Sequence, residues 1–96
     1  VIVSFADEAT EALFHGERGK VIRRLPPEIR SAATRKLDML NAARELRDLL
    51  APPGNRLEAL QGKLKGKHSI RVNERWRLVF RWESGDAHEV EIVDYH

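Results

Sequence analysis

No cysteine occurs among the 96 residues, which excludes disulfides, thiolate metal centres and a cysteine nucleophile and makes a reducing cytoplasm the expected compartment. No apolar run approaches the roughly 20 residues that cross a bilayer, so neither a transmembrane helix nor a membrane partner is expected. The chain opens without the charged, apolar and small-residue succession of a signal peptide. Its four histidines, at 15, 68, 88 and 96, are scattered, with no pair at helical ligand spacing. The expectation is therefore no metal. Gly62 and Gly66 bracket lysines but lead into a strand pattern, which is not the strand-loop-helix setting of a nucleotide phosphate loop. No Ser sits in a plausible nucleophile elbow, and no organic cofactor is implied.

What is present suits one globular domain spanning 1–96: 42% hydrophobic and 33% charged residues are enough for a single core. The formal net charge of +2 conceals a sharp division. Residues 56–81 hold eight basic groups against Glu58 and Glu74, whereas 82–96 hold five acidic groups and no Lys or Arg. A basic block of this density favours a polyanionic partner. The alternative is a solvated charged surface partly neutralised by the acidic strand.

Local patterns divide the chain into a helical and a β-rich half. Ile2–Phe5 reads as a short strand, Asp7 as the N-cap of a helix ending at His15-Gly16. Pro26-Pro27 opens a second helix, with Ile29, Ala33, Leu37 and Leu40 as its apolar stripe. A third helical segment around 43–50 presents Leu46, Leu49 and Leu50; it forms a helical hairpin with the second, or Asn41 marks only a kink. Pro52–Asn55 is a turn. Leu57–Leu60 then reads as a short strand, 62–67 as a mobile basic loop, and His68–Val72 as a strand with His68, Ile70 and Val72 on one face. His68 and His88 are expected as satisfied histidines at the core edge.

Arg75–Trp82 alternates bulky apolar residues with Arg75, Arg77 and Arg81, giving one core face and one cationic face. His88–Val93 is its expected partner. Opposed residues in an antiparallel pair share a face, so the register follows from parity. A two-residue Gly85-Asp86 turn would set Trp82 against Glu89. A three-residue Ser84–Asp86 loop sets Arg81 against Glu89, Phe80 against Val90, Leu78 against Ile92 and Arg77 against Val93, and is preferred. It gives Arg81 a structural carboxylate partner and leaves Arg77 beside the final Asp94-Tyr95-His96.

An acid, a phenol and an imidazole in succession, next to a strand arginine, form a set suited to RNA cleavage without a metal. The reaction needs a base for the ribose 2′-hydroxyl, a cation for charge growing on the phosphate, and an acid for the leaving 5′-oxygen. A guanidinium fork meets phosphate oxygens bidentately, and His or Tyr can carry the protons. The bland alternative is a frayed end whose Tyr95 packs on the helices.

Leu60-x-Gly62, His68–Asn73, Trp76-Arg77-Leu78-Val79-Phe80 and Asp94-Tyr95-His96 resemble the HigB branch of the RelE/ParE toxin superfamily. Arg44–Leu49, Pro52–Glu58 and Ile2-x-Ser4-Phe5 agree, so the resemblance covers nearly the whole chain. It implies a small α+β RelE-like fold, with an N-terminal strand and helices on one face of a mainly antiparallel twisted sheet. It implies further a type II toxin, an mRNA interferase that cleaves mRNA in the ribosomal A site, inhibits translation and arrests growth. A HigA-like helix-turn-helix antitoxin would hold it inactive, with operator DNA contacted only through that antitoxin.

Carried over by position, Arg77 matches the strand arginine on the scissile phosphate, and Asp94, Tyr95 and His96 match the C-terminal catalytic cluster. Arg71 matches a basic strand position facing RNA; with Arg56, Lys63, Lys65 and Lys67 it makes the expected RNA-binding set. The Asp-Tyr-His ending argues against the gyrase-poisoning ParE type. In one place the chain departs from the pattern: where some HigB toxins carry an active-site His before Leu-x-Gly, it has Glu58, either a general base or a surface partner of Arg56. The rival reading is a non-catalytic basic module that docks RNA or protein on the same sheet.

Overall fold

In a computed structural model, which describes residues 1–94, two helices pack on one face of a four-stranded antiparallel sheet. Helix α1 spans Glu8–Phe14 and is capped as its sequence suggests. Asp7 is extended and its carboxylate accepts from the Thr10 amide, while Glu8 and Glu11 lie in the first turn, where the helix dipole favours them. The helix closes when Gly16, at φ +76°, lets the Glu17 amide reach Ala12 O and its own amide reach Leu13 O.

Helix α2, Pro27–Ala42, starts with proline at its first position and buries the expected Ile29, Ala33, Leu37 and Leu40. The third helical segment is different. Residues Leu46–Leu50 form only a 3-10 turn: the Asp48 carboxylate accepts from the Arg44 and Glu45 amides in a capping box that opens it, but Ala51 is extended before Pro52-Pro53 and the segment cannot lengthen. Those amide bonds hold Asp48 below the usual carboxylate range. Leu49 is buried, but Leu50 is 62% exposed. No helical hairpin forms, and Asn41 is not a kink: its side-chain oxygen accepts from the Ile2 amide at 2.9 Å.

The strands are β1 (Glu58–Ala59), β2 (Lys67–Arg71), β3 (Trp76–Glu83) and β4 (Asp86–Asp94), in that spatial order. Ile70, Trp76, Leu78, Phe80, Val90 and Ile92 meet the helices in one hydrophobic cluster. The N-terminal segment does not form a full strand. It runs parallel to β4 through two bridges, Ile2 with Ala87 and Phe5 with Val90, interrupted where Glu89 adopts φ +53° and donates its amide to Ser4 Oγ. Beyond Phe5 the chain leaves β4, and side chains take over its edge. Ile92 N donates to Thr10 Oγ1 at 3.0 Å, and Arg24, paired with Asp7, donates to Ile92 O at 2.7 Å. An unpaired buried amide there would cost about 1–3 kcal/mol.

The β3–β4 register combines features of both parities considered from sequence. From Val79↔Glu91 through Leu78↔Ile92 to Arg77↔Val93 it is as expected. Nearer the turn, Arg81 faces His88, Trp82 faces Ala87 and Glu83 faces Asp86. The turn is therefore the two residues Ser84-Gly85, at φ +53° and +81°, the backbone that twisted hairpins favour. A bulge that sets Glu89 and Val90 against Phe80 restores the register. It also moves His88 to the face of Arg81, away from the core edge expected for it. Arg81 still finds Glu89, Nε to Oε1 at 2.8 Å, and binds Glu83 as well.

Candidate active site and nucleic-acid interface

The sheet face away from the helices carries two directly opposed pairs of cations. Lys67 on β2 faces Arg81 on β3, and Arg71 faces Arg77, with Ser69 and Val79 between them. Like charges at opposed positions destabilise a sheet. Arg81 escapes this cost through Glu83 and Glu89, and its guanidinium holds Glu89 below the ordinary glutamate range. The Arg71/Arg77 end keeps a concentration of guanidinium groups that suits a polyanion.

Arg77 is rigidly delivered. It sits mid-sheet, flanked by Arg71 and Val93, with a side chain only 12% exposed. Its Nη1 lies 3.8 Å from Glu58 Oε1, which reaches across β2 from the edge strand. From sequence, Glu58 stays outside the main set because it stands where some HigB toxins carry a His; its contact with Arg77 depends on strand order, which local pattern does not reveal. Pairing of Glu58 with Arg56 is not what the structure places; Arg56 is exposed in the left-handed conformation (φ +45°) that ends the Pro53–Asn55 3-10 turn.

Asp94, opposite Trp76 at the end of β4, is held by Arg75 in a fork, with Nη2–Oδ2 at 2.6 Å and Nε–Oδ1 at 3.3 Å. Donating to Asp94 raises the pKa of Arg75 further. Arg75 was visible as one of the alternating arginines but was not assigned to the site. Tyr95 and His96 lie outside the described residues.

Of the expected RNA-binding set, Arg71 turns its Nε to Asn73 O at 3.1 Å. The segment 62–67, expected as a mobile loop, is organised by a 3-10 turn over Gly62–Leu64 and closed by Leu60 N to Lys67 O at 2.9 Å. Lys63 and Lys65 are exposed on it, and Lys67 begins β2. His68 stacks on Phe80, with centroids 6.2 Å apart, but its buried Nδ1 has no hydrogen-bond partner among the described residues, so it is not the satisfied histidine expected. Among the described residues no group of three or more His, Asp or Glu could hold a metal. A cavity of about 500 Å³ lined by Leu13, Phe14, Ile22 and Arg30 belongs to the helical side, remote from the cationic face.

Fold and face together describe a small α+β protein with a cationic face on its sheet, and comparison with known proteins sharpens that class. The sequence model of the RelE-like toxin HigB of type II toxin–antitoxin systems matches residues 3–96. Toxin HigB-1 of Vibrio cholerae serotype O1 is 46% identical over 85 residues, covering 88% of this chain and 87% of that protein. Endoribonuclease HigB of Proteus vulgaris is 31% identical over 100 aligned positions, spanning 100% of both. In solved structures, a chain of the heterotetrameric YoeB-YefM toxin–antitoxin complex from Staphylococcus aureus superposes with a TM-score of 0.60 at 18% identity, covering 100% of this chain and 98% of that one. The YoeB dimer from the same organism gives 0.58 at 19%, covering 100% and 97%. At that identity the likeness speaks for the fold alone. The chain belongs to the HigB-like family of RelE-like toxins of type II toxin–antitoxin systems.

Proposed function

We propose that the chain, acting as one domain over 1–96, is an endoribonuclease that cuts mRNA engaged on the ribosome. The observation that carries this reading is the Arg71/Arg77 pair facing away from the helices with the Glu58 carboxylate 3.8 Å from Arg77. The name of the Proteus vulgaris relative agrees with it. In the reaction, a base removes the 2′-hydroxyl proton, the 2′-oxygen bonds to the adjacent phosphorus, and the bond to the 5′-oxygen breaks. A 2′,3′-cyclic phosphate is left on one fragment, and an acid returns a proton to the departing 5′-oxygen. Arg77 neutralises the charge that builds on the phosphoryl oxygens. Glu58 stands where a base beside that arginine is required, and Asp94, Tyr95 and His96 supply the remaining proton chemistry. Arg56, Lys63, Lys65, Lys67 and Arg71 hold flanking phosphates of mRNA or rRNA. No metal or organic cofactor takes part. A HigA-like helix-turn-helix antitoxin restrains the toxin in the cytoplasm and alone contacts operator DNA.

Primer extension on a transcript incubated with the purified chain, with and without translating ribosomes, tests this proposal. New 5′ ends only in the presence of ribosomes are expected. Ribosome binding without new ends would replace the nuclease by a basic docking module. In the same assay, Ala at Lys63, Lys65 and Lys67 together should weaken ribosome binding and flatten its salt dependence. Single-turnover cleavage at saturating ribosome should change little. An unchanged salt slope would return the three lysines to ordinary solvated surface.

A further inference from the structure

Asn55 is fully buried, with 0% of its surface exposed, at a turn next to an edge strand only two residues long. Its side chain is tied on both sides. Oδ1 accepts from Lys36 Nζ on α2, while Nδ2 donates to Leu49 O at 3.1 Å and to Ala51 O at 3.3 Å. One amide thus joins α2, the Leu46–Leu50 turn and its own Pro53–Asn55 turn, and Glu58 follows three residues later.

Glu58 lies between Leu57, which packs against the core, and the buried Leu60, but few hydrogen bonds hold the strand itself. Strand β1 pairs through Glu58↔Ser69 and Ala59↔His68 alone, with one further bond from the Leu60 amide to Lys67 O. The Glu58 carboxylate is 47% exposed and 3.8 Å from Arg77, an ion pair too open to define its own geometry. Three residues of chain span at most about 11 Å, so a displacement at Asn55 passes to Glu58 with little slack. Half-burying the Lys36 ammonium opposes its charge, and its pKa is lowered first by that burial and then by Arg35. A core that needed only volume at this place would be filled by an apolar side chain. We infer that Asn55, locked by Lys36, is a positioning residue that holds the Pro52–Asn55 turn so that Glu58 stands against Arg77. The inference rests on the reading of Glu58 and Arg77 as groups that act on RNA. Misplacement of a reacting group by about 1 Å costs on the order of a hundredfold in rate, which makes the anchor visible in kinetics.

The test uses Lys36→Met, which keeps the aliphatic stem and removes the donor to Asn55, and Asn55→Asp, which keeps the shape and removes the three Nδ2 donations, to Leu49 O, Ala51 O and Met39 Sδ. Both should melt cooperatively and bind ribosomes within about twofold of the parent, yet cut at least tenfold more slowly in single turnover. Hydrogen exchange at the Leu60 amide should quicken at least tenfold while Ile70 and Leu78 in the central strands keep their protection. In a Glu58→Gln background, adding Lys36→Met should slow cleavage no further, because there is no carboxylate left to position. Unchanged exchange at Leu60, or an equal loss of rate with and without Glu58, would overturn the inference. Cleavage at the parental rate by Glu58→Gln would instead overturn the base assigned to Glu58, and the exchange at Leu60 would still decide whether the Asn55 amide anchors β1.

Discussion

Arg77→Ala is expected to slow mRNA cleavage by about a hundredfold or more while the protein remains folded, the scale of losing one preorganised charge-stabilising donor. The side chain is held in mid-sheet, 12% exposed, opposite Arg71, so its guanidinium is aimed before RNA arrives and needs no reorganisation as charge develops. Arg77→Lys should recover only part of the rate, since a compact ammonium cannot reproduce the two-pronged contact with phosphoryl oxygens. Lys at this position keeps the charge opposed to Arg71, so ribosome affinity should stay near the parental value while the chemical step suffers. Primer extension under single-turnover conditions measures the first effect and filter binding of ribosomes the second. A folded Arg77→Ala protein that cuts at the parental rate would remove Arg77 from the reaction.

His96→Ala should relieve growth arrest on expression and slow cleavage by about a hundredfold to ten-thousandfold, the usual contribution of a positioned acid or base. Tyr95→Phe separates the phenolic proton from the ring: a loss of rate as large as that of His96→Ala would make the proton part of the reaction, whereas a small one would leave the ring a packing role. Asp94 needs a different reading from its two neighbours, because Arg75 already engages both of its carboxylate oxygens. Asp94→Asn should consequently act in part through release of Arg75 at the end of β4. Growth curves and 5′-end mapping together decide the matter. A fully toxic, fully cleaving His96→Ala protein would return Asp94-Tyr95-His96 to a structural role.

Some features were legible because they are local. The Asp7 cap, the proline start of α2 and the stripe of Ile29, Ala33, Leu37 and Leu40 depend on residues within a few positions of one another, and each is found where the sequence puts it. Alternation along Trp76–Trp82 likewise fixed which residues face the helices, because successive strand side chains point to opposite faces. Other features were misread where a local competitor intervened. The apolar spacing of Leu46, Leu49 and Leu50 suggested a helix, but Pro52-Pro53 hold Ala51 extended and the capped segment ends as a 3-10 turn. Parity alone forced a choice between two hairpin registers, and a bulge at Glu89 allowed the chain to use a two-residue turn near Gly85 and the expected pairing farther along.

The sequence by itself determined the two helices, the cationic face of β3 and the family, since caps, periodicity and motifs are written in neighbouring residues. Only the tertiary structure decided that Glu58 meets Arg77, that Arg75 holds Asp94, and that Asn55 is clamped between Lys36 and the Leu49 carbonyl. Each of these contacts joins elements whose separation depends on strand order, register and the packing of α2 on the sheet. Those are properties of the whole chain folded together, and no short window of residues contains them.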